Sequence, residues 1–84
     1  MSSVAEVIRA ELEDILRPKG HVGRIGDDDL LITSGLLDSM DVVRVVKFLE
    51  KRFGVDLSER GFKLSDFDRI TDIVRLCSKL RRKE

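Results

Sequence analysis

Apolar residues recur along the first part of the chain at the spacing of an α-helix. They form one stripe whose members are Val4, Val7, Ile8, Leu12, Ile15 and Leu16. Ser3 and Glu6 make a capping-box pattern just ahead of this stripe, and Pro18 and Gly20 come after it as helix terminators. We predict a first helix over about Val4–Leu16.

A second apolar stripe begins after residue 38 and consists of Val42, Val43, Val46, Leu49 and Phe53. The many valines are also compatible with a strand around Val43 and Val45, but the length of the stripe favours a helix. Gly54 comes directly after it, as glycine often does at a helix C-terminus. We predict a second helix over about Ser39–Phe53.

Residues 17–38 form a long connection that contains four glycines. It also carries apolar residues that should attach it to the core, namely Leu30, Leu31, Ile32, Leu36 and Leu37. Residues 58–69 are polar, with Leu64 and Phe67 as anchors and a short helical turn near Ser65–Phe67. Thr71 or Asp72 then caps a last helix, whose inward residues are Ile73, Val74, Cys77 and Leu80. The predicted fold is all-α: a small four-helix bundle of three main helices and one short one, in a single domain over residues 1–84.

Composition excludes several classes of protein. The chain has 84 residues, with 16 basic and 16 acidic side chains, so its net charge of zero argues against a generic nucleic-acid binder. No apolar run approaches the roughly 18 residues of a membrane span, and the acidic N-terminus lacks a signal-peptide pattern. We therefore expect a cytoplasmic protein with no membrane partner and no nucleic-acid partner.

Isolated reactive residues do not form a catalytic or metal-binding pattern. Asp27–Asp29 lacks the ligand spacing of a calcium loop, and His21 has no second zinc-ligand residue nearby. Cys77, the one cysteine, lies on an apolar stripe and is expected to be a buried thiol. Lys79 and the residues 81–83 make a basic end, expected to be a solvated helix terminus. We expect no metal and no enzymatic activity.

The segment Gly35-Leu36-Leu37-Asp38-Ser39-Met40 joins the long loop to the second helix. Asp38 or Ser39 could simply be the N-cap of that helix. The free N–H groups and the positive end of the helix dipole also favour a phosphate at Ser39. Leu36 and Leu37 should anchor the loop, so that the Ser39 hydroxyl stands at an open corner of the bundle.

This segment, together with the second helix, resembles the acyl carrier and peptidyl carrier family, of the free-standing type that binds phosphopantetheine. The resemblance runs through Gly35–Met40 and continues at Val43, Val46, Leu49, Glu50 and Phe53-Gly54-Val55. A second match, Leu64-Ser65-x-Phe67-x-x-Ile70-x-x-Ile73, is similar to carriers that work with adenylate-forming ligases. With the first helix included, the resemblance covers nearly the whole chain.

The resemblance implies that a separate phosphopantetheinyl transferase, using magnesium, moves 4′-phosphopantetheine from coenzyme A onto Ser39. Asp38 would be the acidic neighbour usual in the family. The arm ends in a thiol that carries acyl or aminoacyl groups as thioesters, so the partners would include an adenylate-forming acyl or aminoacyl ligase and downstream acyl-transfer enzymes. The carrier would be a monomeric phosphoprotein that performs no chemistry itself.

The outward face of the second helix departs from the acidic face of fatty-acid synthesis carriers. It is predicted to hold Asp41, Arg44, Lys47, Phe48, Lys51 and Arg52, with Glu50 nearer the buried side. A specialised pathway of lipid or secondary-metabolite biosynthesis fits this face better. The predicted partner-binding residues are Met40, Arg44, Lys47, Phe48 and Lys51, although Phe48 could instead pack against the long loop.

Two other functions remain open at this point. A small helix-turn-helix DNA-binding protein fits the size and helix count, although the neutral charge and the absence of a short turn before the second helix weigh against it. A degenerate carrier acting as a scaffold is the other alternative, and the intact Ser39 weighs against that.

Overall fold

The computed structural model describes residues 3–80, apart from the side chain of Arg60, and this part of the chain contains helices and no strand. The α-helices are α1 (Val4–Leu16), α2 (Ser39–Phe53), α3 (Leu57–Arg60) and α4 (Ile70–Leu80), with 3-10 helices at Arg17–Lys19 and Leu64–Phe67. The predicted all-α bundle with a long α1–α2 loop is confirmed, as are the bounds of its first two helices. Within residues 3–80, no helix combines the length and the apolar character that crossing a membrane requires.

The ends of α1 and α2 are determined by local sequence. The Ser3 hydroxyl accepts the N–H of Glu6 at 3.2 Å, so the predicted cap of α1 forms. At the other end, the 3-10 helix that contains Pro18 closes on Gly20, whose φ of 92° is left-handed. Helix α2 ends in the same way at Gly54, with φ at 69°.

The hydrophobic core draws on every α-helix and on the long loop. Its most deeply buried members include Ile8, Leu12, Leu16, Ile25, Leu31, Val45, Leu49, Leu57, Phe67, Ile70, Ile73 and Cys77. Three loop residues, Ile25, Leu31 and Leu37, lie inside this cluster, which confirms that the loop is attached to the core. The predicted burial of Cys77 is confirmed as well.

The buried stripe of α2 differs from the prediction by one valine. Val43 is 45% exposed, whereas Val45 is 1% exposed, so the assignment of Val43 to the core was wrong. Val42, Val45, Val46 and Leu49 have the i, i+3, i+4, i+7 spacing of one helix face. Val43 falls outside that face and points to the solvent.

The region between α2 and α4 contains more helix than the sequence predicted. Helix α3 was missed: the Asp56 carboxylate caps it by accepting the N–H of Glu59 at 3.3 Å, and its first residue, Leu57, is fully buried. The predicted helical turn over Ser65–Phe67 is confirmed within the second 3-10 helix. Leu64 is 55% exposed, so its assignment as an anchor was wrong, whereas Phe67 is fully buried.

Helix α4 begins at Ile70, so the prediction that Thr71 or Asp72 caps it was wrong. Ile70, the first residue of the helix, is fully buried. The Thr71 hydroxyl donates instead to the Asp27 carbonyl at 3.1 Å. This bond ties α4 to the long loop.

Asp68 fixes the middle of the long loop. Its Oδ1 accepts three consecutive backbone N–H groups, from Leu31 at 3.2 Å, Ile32 at 2.9 Å and Thr33 at 3.0 Å. Its Oδ2 accepts the Thr33 hydroxyl at 2.5 Å. These bonds favour the ionised carboxylate, and the pKa of Asp68 is lowered by the Thr33 hydroxyl first and then by the Thr33 N–H.

Arg9 fixes the first part of the same loop from α1. Its side chain is 6% exposed, and its Nε donates to the Ile25 carbonyl at 2.7 Å. The guanidinium also pairs with Glu6 at 2.5 Å and with Asp27. A buried charge of this kind needs its partners, so the loop is held against α1 by polar contacts as well as by its apolar side chains.

Candidate functional site

Ser39 occupies the first position of α2 and is exposed. The N-cap is Asp38, whose Oδ1 accepts the N–H of Asp41 at 2.9 Å. In return, Asp41 Oδ2 accepts the N–H of Asp38 at 3.1 Å, which completes a capping box. Of the two sequence-based candidates for the cap, the structure therefore selects Asp38, and the Ser39 hydroxyl is not needed for that role.

The loop just ahead of Ser39 is held in a fixed turn. Gly35 has a φ of 86°, a conformation that favours glycine, and its N–H donates to the Ile32 carbonyl at 3.0 Å. Leu37 is 3% exposed, and its N–H donates to the Leu31 carbonyl at 2.8 Å. The chain therefore enters α2 from an anchored segment that leaves the side chain of Ser39 at the surface.

The first turn of α2 offers donors to an anion on Ser39. The N–H groups of Ser39 and Met40 lie where a helix has no earlier carbonyl to receive them. These donors and the helix dipole favour negative charge at that end of a 15-residue helix. A phosphodiester on the exposed Ser39 Oγ fits this environment.

A lysine that the sequence did not single out reaches the same turn. Lys19, from the first 3-10 helix, forms a hydrogen bond and ion pair with Asp41, and its Nζ lies 3.5 Å from Asp38 Oδ2. Its Nζ also donates to the Leu36 carbonyl at 3.3 Å. Lys19 and Asp41 are 22 positions apart in the chain, so no local pattern could have paired them.

These contacts shift the titration of two groups around Ser39. The hydrogen bond to Asp41 raises the pKa of Lys19 above its ordinary value. The N–H of Asp41 lowers the pKa of Asp38, and the positive charge of Lys19 acts in the same direction. Both shifts favour the charged forms, so at neutral pH Lys19 is an ammonium and Asp38 is a carboxylate 3.5 Å from it.

Asp41 does not lie on the outward face of α2, so that prediction was wrong. Its side chain is 8% exposed and points towards the capping box and Lys19. The other acid of this helix, Glu50, is half-buried, and its Oε2 accepts the N–H groups of Leu57 at 3.1 Å and Ser58 at 2.8 Å. Both carboxylates of α2 are thus engaged in holding the fold.

The exposed face of α2 is consequently basic and apolar. Arg44, Lys47 and Lys51 are exposed, as predicted, and Arg52 is exposed as well. Met40, next to Ser39, is 67% exposed. Val43 adds a second apolar group, which the sequence-based list of partner-binding residues had missed because it assigned this valine to the core.

Phe48 is half-buried rather than fully outward. It packs against the edge of the core, and its ring meets that of Phe53 edge to face, with centroids 6.4 Å apart. One side of Phe48 borders an open cavity of about 420 Å³ that Lys51 and Arg52 also line. Phe48 is therefore partly a core residue and partly the floor of a surface depression.

The remaining polar candidates belong to the loop and the far end of the chain. Asp28 accepts the Thr71 hydroxyl at 3.3 Å, and Asp29 accepts the N–H of Gly26 at 2.8 Å. His21 is half-buried in the loop, and Lys79 is exposed on α4. The rest of the predicted basic end, residues 81–83, lies outside the described residues.

Comparison with known proteins adds no relative: no family model matches the chain, and no curated protein matches it. The resemblance to carriers therefore rests on the motif and on the residues around Ser39.

Proposed function

We propose that this chain is a carrier protein whose working group is a 4′-phosphopantetheine arm on Ser39. The observation that carries the proposal is the exposed Ser39 at the first position of α2, directly after the N-cap Asp38, within the carrier-like segment Gly35–Met40. The anchored loop before it and the free N–H groups behind it supply what an exposed, phosphate-bearing serine requires.

Ser39 is the nucleophile of the loading reaction. Its Oγ forms a bond to the β-phosphorus of coenzyme A, and the hydroxyl proton passes to a base of the transferase. The bond between that phosphorus and its bridging oxygen breaks, and adenosine 3′,5′-bisphosphate leaves. The chain supplies an accessible hydroxyl and an acidic neighbour, Asp38, while magnesium and the transferase stabilise the charge that develops.

Once attached, the arm supplies a terminal thiol for acyl or aminoacyl thioesters. The role of the chain is to hold that thiol at a high effective concentration near successive enzymes. We propose an adenylate-forming acyl or aminoacyl ligase and downstream acyl-transfer enzymes as those partners, in a specialised pathway of lipid or secondary-metabolite biosynthesis. The chain itself has no catalytic role in this scheme, and it works as a cytoplasmic monomer.

Partners that load or unload the arm are proposed to dock on the exposed face of α2. Met40 and Val43 offer apolar contact beside Ser39, and Arg44, Lys47 and Lys51 surround them with positive charge. Opposite charges favour encounter, so this face fits partners with an acidic docking surface. Phe48 contributes its exposed edge to the same region.

The decisive test is the mass of the intact protein after incubation with coenzyme A, magnesium and a broad-specificity phosphopantetheinyl transferase. The wild-type chain should gain one phosphopantetheine, and the Ser39→Ala variant should gain none. Ser65→Ala is the matched control, because Ser65 is also an exposed serine in a helical turn. An unmodified wild type, or a modified Ser39→Ala variant, would refute the assignment.

A further inference from the structure

The ammonium of Lys19 lies among the carboxylates that flank Ser39. It pairs with Asp41, lies 3.5 Å from Asp38 Oδ2, and donates to the Leu36 carbonyl at 3.3 Å. These contacts touch residues before and after Ser39. Lys19 therefore belongs to the surroundings of this serine, although it comes from a different element.

The capping box of α2 is complete without Lys19. Asp38 and Asp41 already accept each other's N–H groups, at 2.9 Å and 3.1 Å. The side chain of Lys19 is also 39% exposed, so it does not fill the core. Its distinctive contribution is a positive charge, which changes the formal charge of the Lys19, Asp38 and Asp41 group from −2 to −1.

That charge matters for a phosphate at Ser39. Coenzyme A is anionic, and the phosphodiester that remains on Ser39 keeps one negative charge. Asp41 is almost fully buried, so water screens its charge less than it would at the surface. Without a nearby cation, two carboxylates would oppose the approach of the donor and the presence of the product.

We propose that Lys19 is a positioning residue for the modification of Ser39, because it neutralises part of the carboxylate charge that the incoming phosphate meets. This inference rests on the proposed function of Ser39. It predicts that loading depends on the net charge of the group rather than on the presence of any one side chain.

Four variants separate charge from packing. The formal charge of the Lys19, Asp38 and Asp41 group is −2 in Lys19→Met and stays at −1 in Lys19→Arg. It is 0 in Asp41→Asn and returns to −1 in the double variant Lys19→Met with Asp41→Asn. The rate at which the transferase attaches phosphopantetheine to Ser39 is measured by intact mass at varied carrier concentration. Lys19→Met should lower kcat/KM by about three- to tenfold, mainly by raising KM. This magnitude is the one expected when a single positive charge acts on a phosphate several ångströms away and water partly screens the interaction. Lys19→Arg and the double variant should load like the wild type, and Asp41→Asn should load faster.

Lys79→Met is the matched control, because it removes the same charge from an exposed lysine on α4. The effect of Lys19→Met should shrink as salt rises, whereas a packing defect would not. A second readout does not depend on the rate of modification. The melting temperature of the modified protein minus that of the unmodified protein should be higher in the wild type than in Lys19→Met.

The outcomes distinguish this inference from the proposed function. If the wild type is modified and Lys19→Met loads equally well, the role of Lys19 is refuted and the carrier function stands. If the double variant stays as slow as Lys19→Met, Lys19 acts through structure and the charge argument is wrong. If the wild type is not modified at all, the proposed function fails first and the role of Lys19 falls with it.

Discussion

Removing the carboxylate of Asp68 should destabilise the fold through the long loop. In Asp68→Ala, the N–H groups of Ile32 and Thr33 lose the acceptor that they reach at 2.9 Å and 3.0 Å. Leu31 keeps a second acceptor, because its N–H also donates to the Asp68 backbone carbonyl at 2.7 Å. The change therefore removes the acceptor of two backbone donors and of the Thr33 hydroxyl, which donates to Asp68 Oδ2 at 2.5 Å, and it leaves the third backbone donor satisfied.

The expected loss of unfolding free energy is set mainly by the two backbone donors, because the exposed Thr33 hydroxyl can donate to water instead. A hydrogen bond to a charged group contributes about 1.5–3 kcal/mol when it is shielded from water. Thr33 is exposed and Asp68 is half-buried, so water can replace part of each bond. We expect Asp68→Ala to cost about 2 kcal/mol and Asp68→Asn, which keeps a neutral acceptor, about 1 kcal/mol. The larger loss is a substantial fraction of the stability of a small domain.

The penalty should also depend on pH. The folded-state pKa of Asp68 is lowered, so its carboxylate stabilises the fold fully above the unfolded-state pKa of about 3.9. That stabilisation is lost as pH falls from this value through the folded-state pKa. The difference in stability between wild type and Asp68→Asn should therefore be constant near neutral pH and shrink below about pH 4.

Urea unfolding monitored by circular dichroism measures these differences. With a slope near 1 kcal/mol per molar urea, Asp68→Ala should unfold at a midpoint lower by about 2 M. Glu59→Gln, which removes a negative charge from an exposed side chain, controls for the charge itself. A urea midpoint for Asp68→Ala within about 0.5 M of the wild type at pH 7 would refute the reasoning. A difference in stability between wild type and Asp68→Asn that persists at about pH 2.5 would refute it as well.

Three further predictions concern the cations of the docking face, Phe48 and the buried arginine. In assays of acyl or aminoacyl transfer onto the arm by an adenylate-forming ligase, Arg44→Glu combined with Lys51→Glu should raise the KM for the carrier strongly at low salt and weakly at high salt. An effect that does not depend on salt would contradict electrostatic steering. Phe48→Ala should raise KM while the protein remains folded, but it should also lower the melting temperature because Phe48 packs on Phe53. Arg9→Met should cost about 2 kcal/mol in urea unfolding, because the Ile25 carbonyl loses the Nε donor at 2.7 Å, and unchanged stability would show that this bond is replaceable.

Local signals made the two long helices predictable. The Ser3 cap, the glycines that end each helix and the apolar stripes all act within a few residues of one another, so sequence order is enough to find them. The position of Ser39 at the start of α2 was predictable from the same signals. The burial of Val45 was also available from its spacing, because Val42, Val45, Val46 and Leu49 follow i, i+3, i+4, i+7, and the sequence-based stripe took Val43 in its place.

Interactions between distant parts of the chain could not be predicted. Lys19 and Asp41 are 22 positions apart, and Asp68 and Ile32 are 36 positions apart. Nothing in a lysine after Pro18, or in an aspartate before α4, indicates which backbone or carboxylate it will meet. Asp41 faces both Lys19 and the capping box with Asp38, and this acid was placed on the wrong face because its distant partner could not be foreseen and its i, i+3 pairing with Asp38 was not recognised. Helix α3 was missed because four residues are too few to show a period.

Both acids of α2 are engaged in holding the fold, Asp41 buried and Glu50 half-buried, so the charged side chains that this helix exposes are all basic. The exposed cations of this helix are Arg44, Lys47, Lys51 and Arg52. With Asp41 and Glu50 counted, α2 has a formal charge of +2, and the rest of the neutral chain has −2. The protein will migrate in an electric field as if it were nearly uncharged near its isoelectric point of about 6.6. The field close to an acidic protein will nevertheless attract the exposed cations of α2, the helix that begins at Ser39.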